Sequence, residues 1–231
     1  MGDLRLTHPD MFTLAEDEDK ADELTETAFD MYYGWSLHHV MNQIAQGKAG
    51  VEDLWANLAK TDSTIRPEAI RMNFITNHDE NSWNGTEFER MGDAVKLFTT
   101  LCYILPGMPL IYTGQLSGNH HRLEFFEKDM IDIDEEYAQA DFLKSMNMMR
   151  KYNPALFSPE KGAPLERIAC DNEAIFACRR RLVEGKKMNE VMAVMNMSDQ
   201  PQKVTLETGE TYDLEPWRGA VSFSRGRGKK D

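Results

Sequence analysis

Five polar or ionisable residues in a row, Asn77, His78, Asp79, Glu80 and Asn81, follow an apolar run in the stretch RMNFITNHDENSWN (Arg71–Asn84). Imidazole and carboxylate groups side by side are the usual material of general acid–base chemistry. Met72, Phe74 and Ile75 are residues of strand type, with Asn73 between them and Thr76 continuing the run. Parallel sheets and barrels build sites in this way: the strand supplies rigidity and the loop after it supplies the reacting groups. The alternative is a solvated loop in which Asn77 or Asp79 caps the next helix.

A second apolar run, MFTLA (Met11–Ala15), ends in Glu16, Asp17, Glu18 and Asp19. An EF-hand loop needs a glycine at its sixth position, and Asp22 stands there when Asp17 is counted as the first, so that calcium motif is rejected. Glu16, first after the run, is the residue to hold; the other acids read as a solvated loop. Trp35 and Trp83 follow strand ends, where aromatic rings stack on sugars, with packing as the alternative for each. His38-His39 could touch substrate or metal, with a structural role the alternative that His39's place at a helix start favours; His120-His121 reads as a surface loop, with a site as the alternative, and Trp217 as core, with a sugar platform as the alternative.

The elements that would position these groups alternate. Ala28–Trp35 reads as a further strand. His38–Gln46 is a helix with Val40, Met41 and Ile44 on one face, ended by Gly47. Gly50–Leu58 is a second helix, and Ser63–Pro67 a turn. Glu89–Leu105 is one long helix stopped by Pro106-Gly107, and Met108–Tyr112 a fourth buried strand. A helix follows over about Glu135–Tyr152, with Tyr137 among its inward residues. Four strands, each ending in a polar loop and separated by helices, predict βα units of a parallel sheet or barrel. After Pro159 the pattern becomes short alternating runs: Leu165–Ala169, Ala174–Leu182, Asn189–Met197, Gln202–Glu207 and Ala220–Ser224. These predict an antiparallel β module, followed by a loose basic tail over Arg225–Asp231.

The chain has 231 residues and a net charge of -13, which argues against a nucleic-acid partner and suits a neutral, hydroxyl-rich one. No apolar run is long enough to span a bilayer, so no membrane partner is expected. The start lacks a signal-peptide pattern, so the compartment is not given. Three cysteines without a CxxC pair predict free thiols rather than a zinc site or a disulfide framework.

FITNHDE (Phe74–Glu80), TLAED (Thr13–Asp17), AFDMYYGWSLHHVMNQIAQGK (Ala28–Lys48), PGMPLIYTGQ (Pro106–Gln115) and RLEFFEKD (Arg122–Asp129) together resemble the α-amylase family of glycoside hydrolases. The segments are collinear, and the β module sits where that family has its C-terminal β domain. The resemblance implies an α/β fold: a partial (β/α)8 TIM barrel, about strands five to eight, over residues 1–157, then a small antiparallel β-sandwich domain over 158–224 and a basic tail over 225–231. A full barrel takes about 250 residues, and roughly 155 precede the β module here.

The resemblance also implies roles. Glu16 matches the general acid/base and Asp79 the aspartate that binds sugar hydroxyls and stabilises the transition state. His78 matches its substrate-binding neighbour, and Asn77 and Trp83 join it as candidates for holding sugar. The implied substrate is an α-glucan such as starch, cleaved with retention by two carboxylates about 5–5.5 Å apart. The nucleophilic aspartate belongs to a fourth barrel strand with no counterpart here, so little or no hydrolysis is expected of this chain alone. The family's calcium site draws its ligands largely from that other half, and no metal residue is assigned. Leu116 stands where the family often has glutamate, and Asp17–Glu26 lacks the tryptophan often found after the acid. The expected partner, besides the glucan, is a missing N-terminal half-barrel. The alternatives are a catalytically inactive α-glucan-binding half-barrel and a structural partner of the missing half.

Overall fold

The computed structural model describes residues 2–131, 137–158 and 161–227. A short N-terminal helix, α1 (Gly2–Thr7), precedes the first strand, β1 (Leu14–Ala15). Helix α2 (Ala21–Thr27), strand β2 (Met31–Tyr33), helices α3 (Trp35–Ala45) and α4 (Val51–Thr64), and strand β3 (Ile70–Asn73) follow. After β3 come a π-helical turn over Glu80–Asn84, helix α5 (Glu87–Met91), a 3-10 turn over Gly92–Ala94, helix α6 (Val95–Ile104), strand β4 (Met108–Pro109) and helix α7 (Ala140–Tyr152). The four strands form one parallel sheet in the order β1-β2-β3-β4. The βα alternation expected from the apolar runs is therefore present, with each strand shorter than its run.

Register assigns the faces. Leu14, Met31 and Ile70 align across the sheet, as do Tyr33, Met72 and Met108. Met31, Tyr33, Met72 and Phe74 form an apolar cluster with Trp35, Ile70 and Leu110. Ala15, Tyr32 and Arg71 align on the opposite face, where Tyr32 packs with Ala21 and Ala69. The largest core lies elsewhere: α3, α4 and α6 bury Leu37, Met41, Leu54, Phe98 and Leu101 against Phe176, Val191 and Met195 of the second module.

That module contains β5 (Glu166–Arg167), β6 (Ile175–Glu184), β7 (Lys187–Asn196), β8 (Gln202–Thr205), β9 (Thr211–Leu214) and β10 (Gly219–Arg227). The antiparallel order is β10-β7-β6-β5, with β8-β9 as a separate two-stranded ribbon. Ile168, Ala177, Val194, Val204 and Leu206 fill the space between sheet and ribbon. Trp55 of α4 stacks on Phe176 of β6 at 4.4 Å and joins the two modules.

Several expected boundaries move. The long helix over Glu89–Leu105 is two helices, because Gly92 takes a φ of 52° with open space where a side chain would stand. The Gly50–Leu58 helix runs on to Thr64, where the Ser63 and Thr64 hydroxyls donate to the Lys60 carbonyl. Trp35 opens α3 rather than ending β2. Tyr137 is exposed rather than inward, while Leu143 and Met149 are buried. Glu135 lies outside the described residues. Arg225–Arg227 extend β10 instead of starting a loose tail, because their backbone pairs with Lys187–Asn189; residues 228–231 lie outside the description.

Candidate active site

The parallel sheet carries its chemistry at the carboxyl ends of its strands. Glu16 follows β1 directly. Beyond β3, Phe74, Ile75 and Thr76 stay buried, and the chain turns at Asn77. The Asn77 Oδ1 accepts the Glu80 N–H at 2.8 Å, which starts the π-helical turn and leaves His78 and Asp79 at its outer tip. The His78 Nε2 lies 3.0 Å from Glu16 Oε1 and 3.7 Å from Asp79 Oδ1. One polar atom from each of Glu16, His78 and Asp79 lies within 4.8 Å of the others. Two residues far apart in sequence thus bring their carboxylates to one imidazole nitrogen, all three side chains being partly open to solvent.

Tyr33 borders this set from β2. Burial raises its phenol, and the negative charges of Glu16 and Asp79 add to the shift. The sequence places Tyr33 in a strand but does not link it to the site; only the register, with β2 paired to both β1 and β3, puts it between β1 and the tip of β3. Glu18, read as a solvated acid, instead clasps the start of α3. Its carboxylate accepts the Ser36 hydroxyl at 2.7 Å and the Ser36 backbone N–H, an anion at a helix N-terminus.

Behind the tip lies a buried polar network. His38 Nε2 meets Glu80 Oε2 at 3.0 Å, and His38 Nδ1 lies 3.3 Å from the Phe74 carbonyl. Arg90 donates to Asn42 Oδ1, to the Ile75 carbonyl at 2.8 Å and to the Gly85 carbonyl at 2.9 Å. Asn84 Nδ2 donates to Glu80 Oε1 at 3.0 Å. Burial lowers the His38 pKa even though Glu80 opposes it. Burial alone would raise the Glu80 carboxyl, but the His38 bond, the charges of His38 and Arg90 and the Asn84 bond hold it below its ordinary value. His38 is therefore held in a structural network, and its partner Glu80 turns inward, away from the Asp79 side of the loop.

The other candidates separate. Trp83 is 58% exposed on the same loop. Asn77 is fully buried, and its contact is the backbone cap of Glu80. His39 stacks on Trp35, His120 stacks on Phe88 at 4.0 Å, and His121 pairs with Asp129 at 2.6 Å. Trp217 packs beside Phe98 in the main core. Cys102 and Cys178 are buried free thiols and Cys170 is a half-buried one. Among the described residues, Glu16, His78 and Asp79 are the one set with donors close enough for a metal ion. One imidazole with two carboxylates suits a transition metal better than calcium, which takes oxygen ligands. The set does not fit a calcium site.

No protein-family model matches the chain, and no curated protein does. Solved structures share its fold. A maltogenic α-amylase, AmyB, from Thermotoga neapolitana superposes with a TM-score of 0.73 at 15% identity, over 96% of this chain and 54% of its own. An α-amylase from Lactobacillus plantarum gives 0.73 at 18% identity, over 96% of this chain and 58% of its own. The cyclic α-maltosyl-(1-->6)-maltose hydrolase of Arthrobacter globiformis gives 0.76 at 16% identity, over 96% of this chain and 51% of its own. The chain has the fold of about half of an α-amylase-type structure, and it spans about half the length of the structures that it matches.

Proposed function

We propose that the chain supplies the acid/base side of a retaining glycosidase site for α-glucans such as starch. The observation that carries this reading is the convergence of Glu16, His78 and Asp79 within 4.8 Å at the ends of two parallel strands. In this reading residues 1–157 are the second half of a (β/α)8 barrel and 158–224 its C-terminal β domain. The edges support closure against further strands: β1 and β4 each have one neighbour in the sheet. Phe12, Leu14, Met108 and Ile111 stand exposed beside those edges. Unpaired, apolar strand edges are templates for more strands.

The roles follow from the chemistry. The nucleophile, an aspartate on a strand that the sheet would acquire on closure, attacks the anomeric carbon. Glu16 gives its proton to the leaving glycosidic oxygen as that C–O bond breaks. Water then attacks the glycosyl ester, Glu16, now a carboxylate, takes a proton from that water, and the nucleophile leaves as carboxylate. Asp79 accepts hydrogen bonds from sugar hydroxyls, and its charge favours the developing positive charge on the ring. His78, beside both acids, donates to sugar oxygens, and Trp83 offers its exposed face to the ring. Asn77 acts through the cap that aims His78 and Asp79.

The deciding experiment measures reducing-sugar release from starch by the longest native polypeptide that contains this sequence. Glu16→Gln and Asp79→Asn are each expected to lower kcat/KM at least ~100-fold. Full turnover in either variant refutes the assignment. Clear turnover by the 231-residue chain alone, lost in Asp79→Asn, refutes the need for a nucleophile from other strands. A second reading, glucan binding without turnover, is favoured by the exposed Trp83 and by the absence of a third carboxylate from the described cluster. Starch binding that persists without hydrolysis in the longest polypeptide would establish it.

A further inference from the structure

Beyond the carboxylates, the loop after β4 brings two more aromatic rings to Trp83. Phe125 lies 5.0 Å from Trp83, Phe126 lies 4.8 Å from Phe125, and Trp83 and Phe126 are 6.1 Å apart, centroid to centroid. Trp83 is 58% exposed, Phe125 38% and Phe126 82%. Such contiguous exposed apolar surface marks a binding site more often than it occurs by accident.

The rings are held in place. Asn81, almost fully buried, donates to the His121 carbonyl at 3.2 Å and accepts the Leu123 N–H at 2.8 Å, which ties the aromatic loop to the tip of β3. Arg122 grips the Glu89 carboxylate with bonds of 2.9 and 3.0 Å. The platform also connects with the acids: the His78 ring stacks 6.2 Å from Phe125, while its Nε2 lies 3.0 Å from Glu16. Glu124 and Glu127 stand exposed on the same loop.

This combination selects a ligand. Exposed Arg122 and Lys128 balance Glu124 and Glu127 on the loop itself, and the nearby carboxylates of Glu16 and Asp79 with the chain's net charge of -13 disfavour an anion. Aromatic faces fixed beside carboxylate acceptors suit a neutral molecule with an apolar C–H face and hydroxyls at its edge, which describes a pyranose ring. We propose that Trp83, Phe125 and Phe126 form an extended subsite that stacks the glucose residues of an α-glucan lying beyond the one held at Glu16 and Asp79. This rests on the proposed function and deepens it: the preferred ligand is a chain of several residues, not a disaccharide.

The test titrates the 231-residue chain with maltose, maltoheptaose and cellohexaose, by calorimetry and by tryptophan fluorescence. Maltoheptaose is expected to bind more tightly than maltose and cellohexaose. Phe126→Ala and Phe125→Ala are each expected to weaken maltoheptaose about tenfold and to leave maltose binding within about twofold. Phe126 is so exposed that its truncation leaves the fold intact, and an unchanged melting temperature verifies this. If both variants bind maltoheptaose as the unmodified chain does while Asp79→Asn loses binding, the platform is refuted and the proposed function stands. Equal affinity for cellohexaose and maltoheptaose refutes the α-glucan class for the platform. No binding of any of the three sugars refutes the platform, while turnover by the longest polypeptide and its Asp79→Asn variant decides the proposed function separately.

Discussion

Replacing Glu80 with alanine tests whether the buried network holds the tip of β3. Glu80 accepts from His38 at 3.0 Å and from Asn84 at 3.0 Å, and sits 3.8 Å from Arg90. Each hydrogen bond to a charged group is worth roughly 1.5–3 kcal/mol. Two of them set the loss at about 3–6 kcal/mol, which overlaps the roughly 3–5 kcal/mol cost of removing one partner of a buried ion pair. Glu80→Gln keeps an acceptor for His38 but loses the charge, so it is expected to cost about 1–2 kcal/mol. The sign with pH also follows. The Glu80 pKa is held below its ordinary 4.5, so its stabilisation is present above that pH and is lost as pH falls through the folded value. The His38 pKa is lowered from 6.5, so below that pH the unfolded chain takes up a proton that the folded chain resists. Stability should therefore fall as pH drops below about 6.5 and fall further below about 4.5. In Glu80→Gln the lower limb should flatten. Urea unfolding followed by circular dichroism from pH 2.5 to pH 8 measures all of this. A loss under about 1 kcal/mol in Glu80→Ala at neutral pH, or a glutamine variant weaker than the alanine one, refutes the network.

Arg180 is 1% exposed and donates to the Ala163, Ile104 and Phe157 carbonyls at 2.8, 3.1 and 3.2 Å. Burial pulls its pKa to about 10, a penalty of about 3 kcal/mol that its three hydrogen bonds roughly offset. Arg180→Met takes the donor from three carbonyls and is expected to cost about 2–4 kcal/mol, whereas Arg180→Lys keeps one donor without the fork and should cost less; a methionine variant at least as stable as the lysine one in a denaturant melt refutes the carbonyl cage. Gly107 has a φ of 116°, and a Cβ there would meet the Arg71 carbonyl oxygen at 2.3 Å. Gly107→Ala should lower Tm by about 5–10 °C, and a calorimetric shift under about 2 °C contradicts that close approach. Burial pushes the Cys102 and Cys178 thiols up to about 12, so a thiol reagent should titrate Cys170 alone in the folded chain and all three cysteines in denaturant; rapid reaction of three native thiols contradicts the packing.

The elements that local spacing encodes were legible in the sequence. The stripe of Val40, Met41 and Ile44 marks the buried face of α3, and the run Met72–Thr76 marks the strand whose end carries Asp79. Both signals arise between neighbours in sequence, because helix and strand repeats place nearby residues on one face. Gly92 interrupts the α5–α6 stripe without disturbing its spacing, so apolar periodicity ran straight through the break. The sequence also placed Glu16 and Asp79 each at the end of an apolar run. What brings them together is the parallel register of β1, β2 and β3, which depends on pairings between distant segments. The same dependence hides the direction in which a side chain turns. Glu80 and Asp79 are adjacent, yet the π-helical turn capped by Asn77 sends Glu80 inward to His38 and leaves Asp79 beside His78. Only the tertiary structure decides this, because the partners that select each direction, His38 and Glu16, come from other strands and helices of the fold.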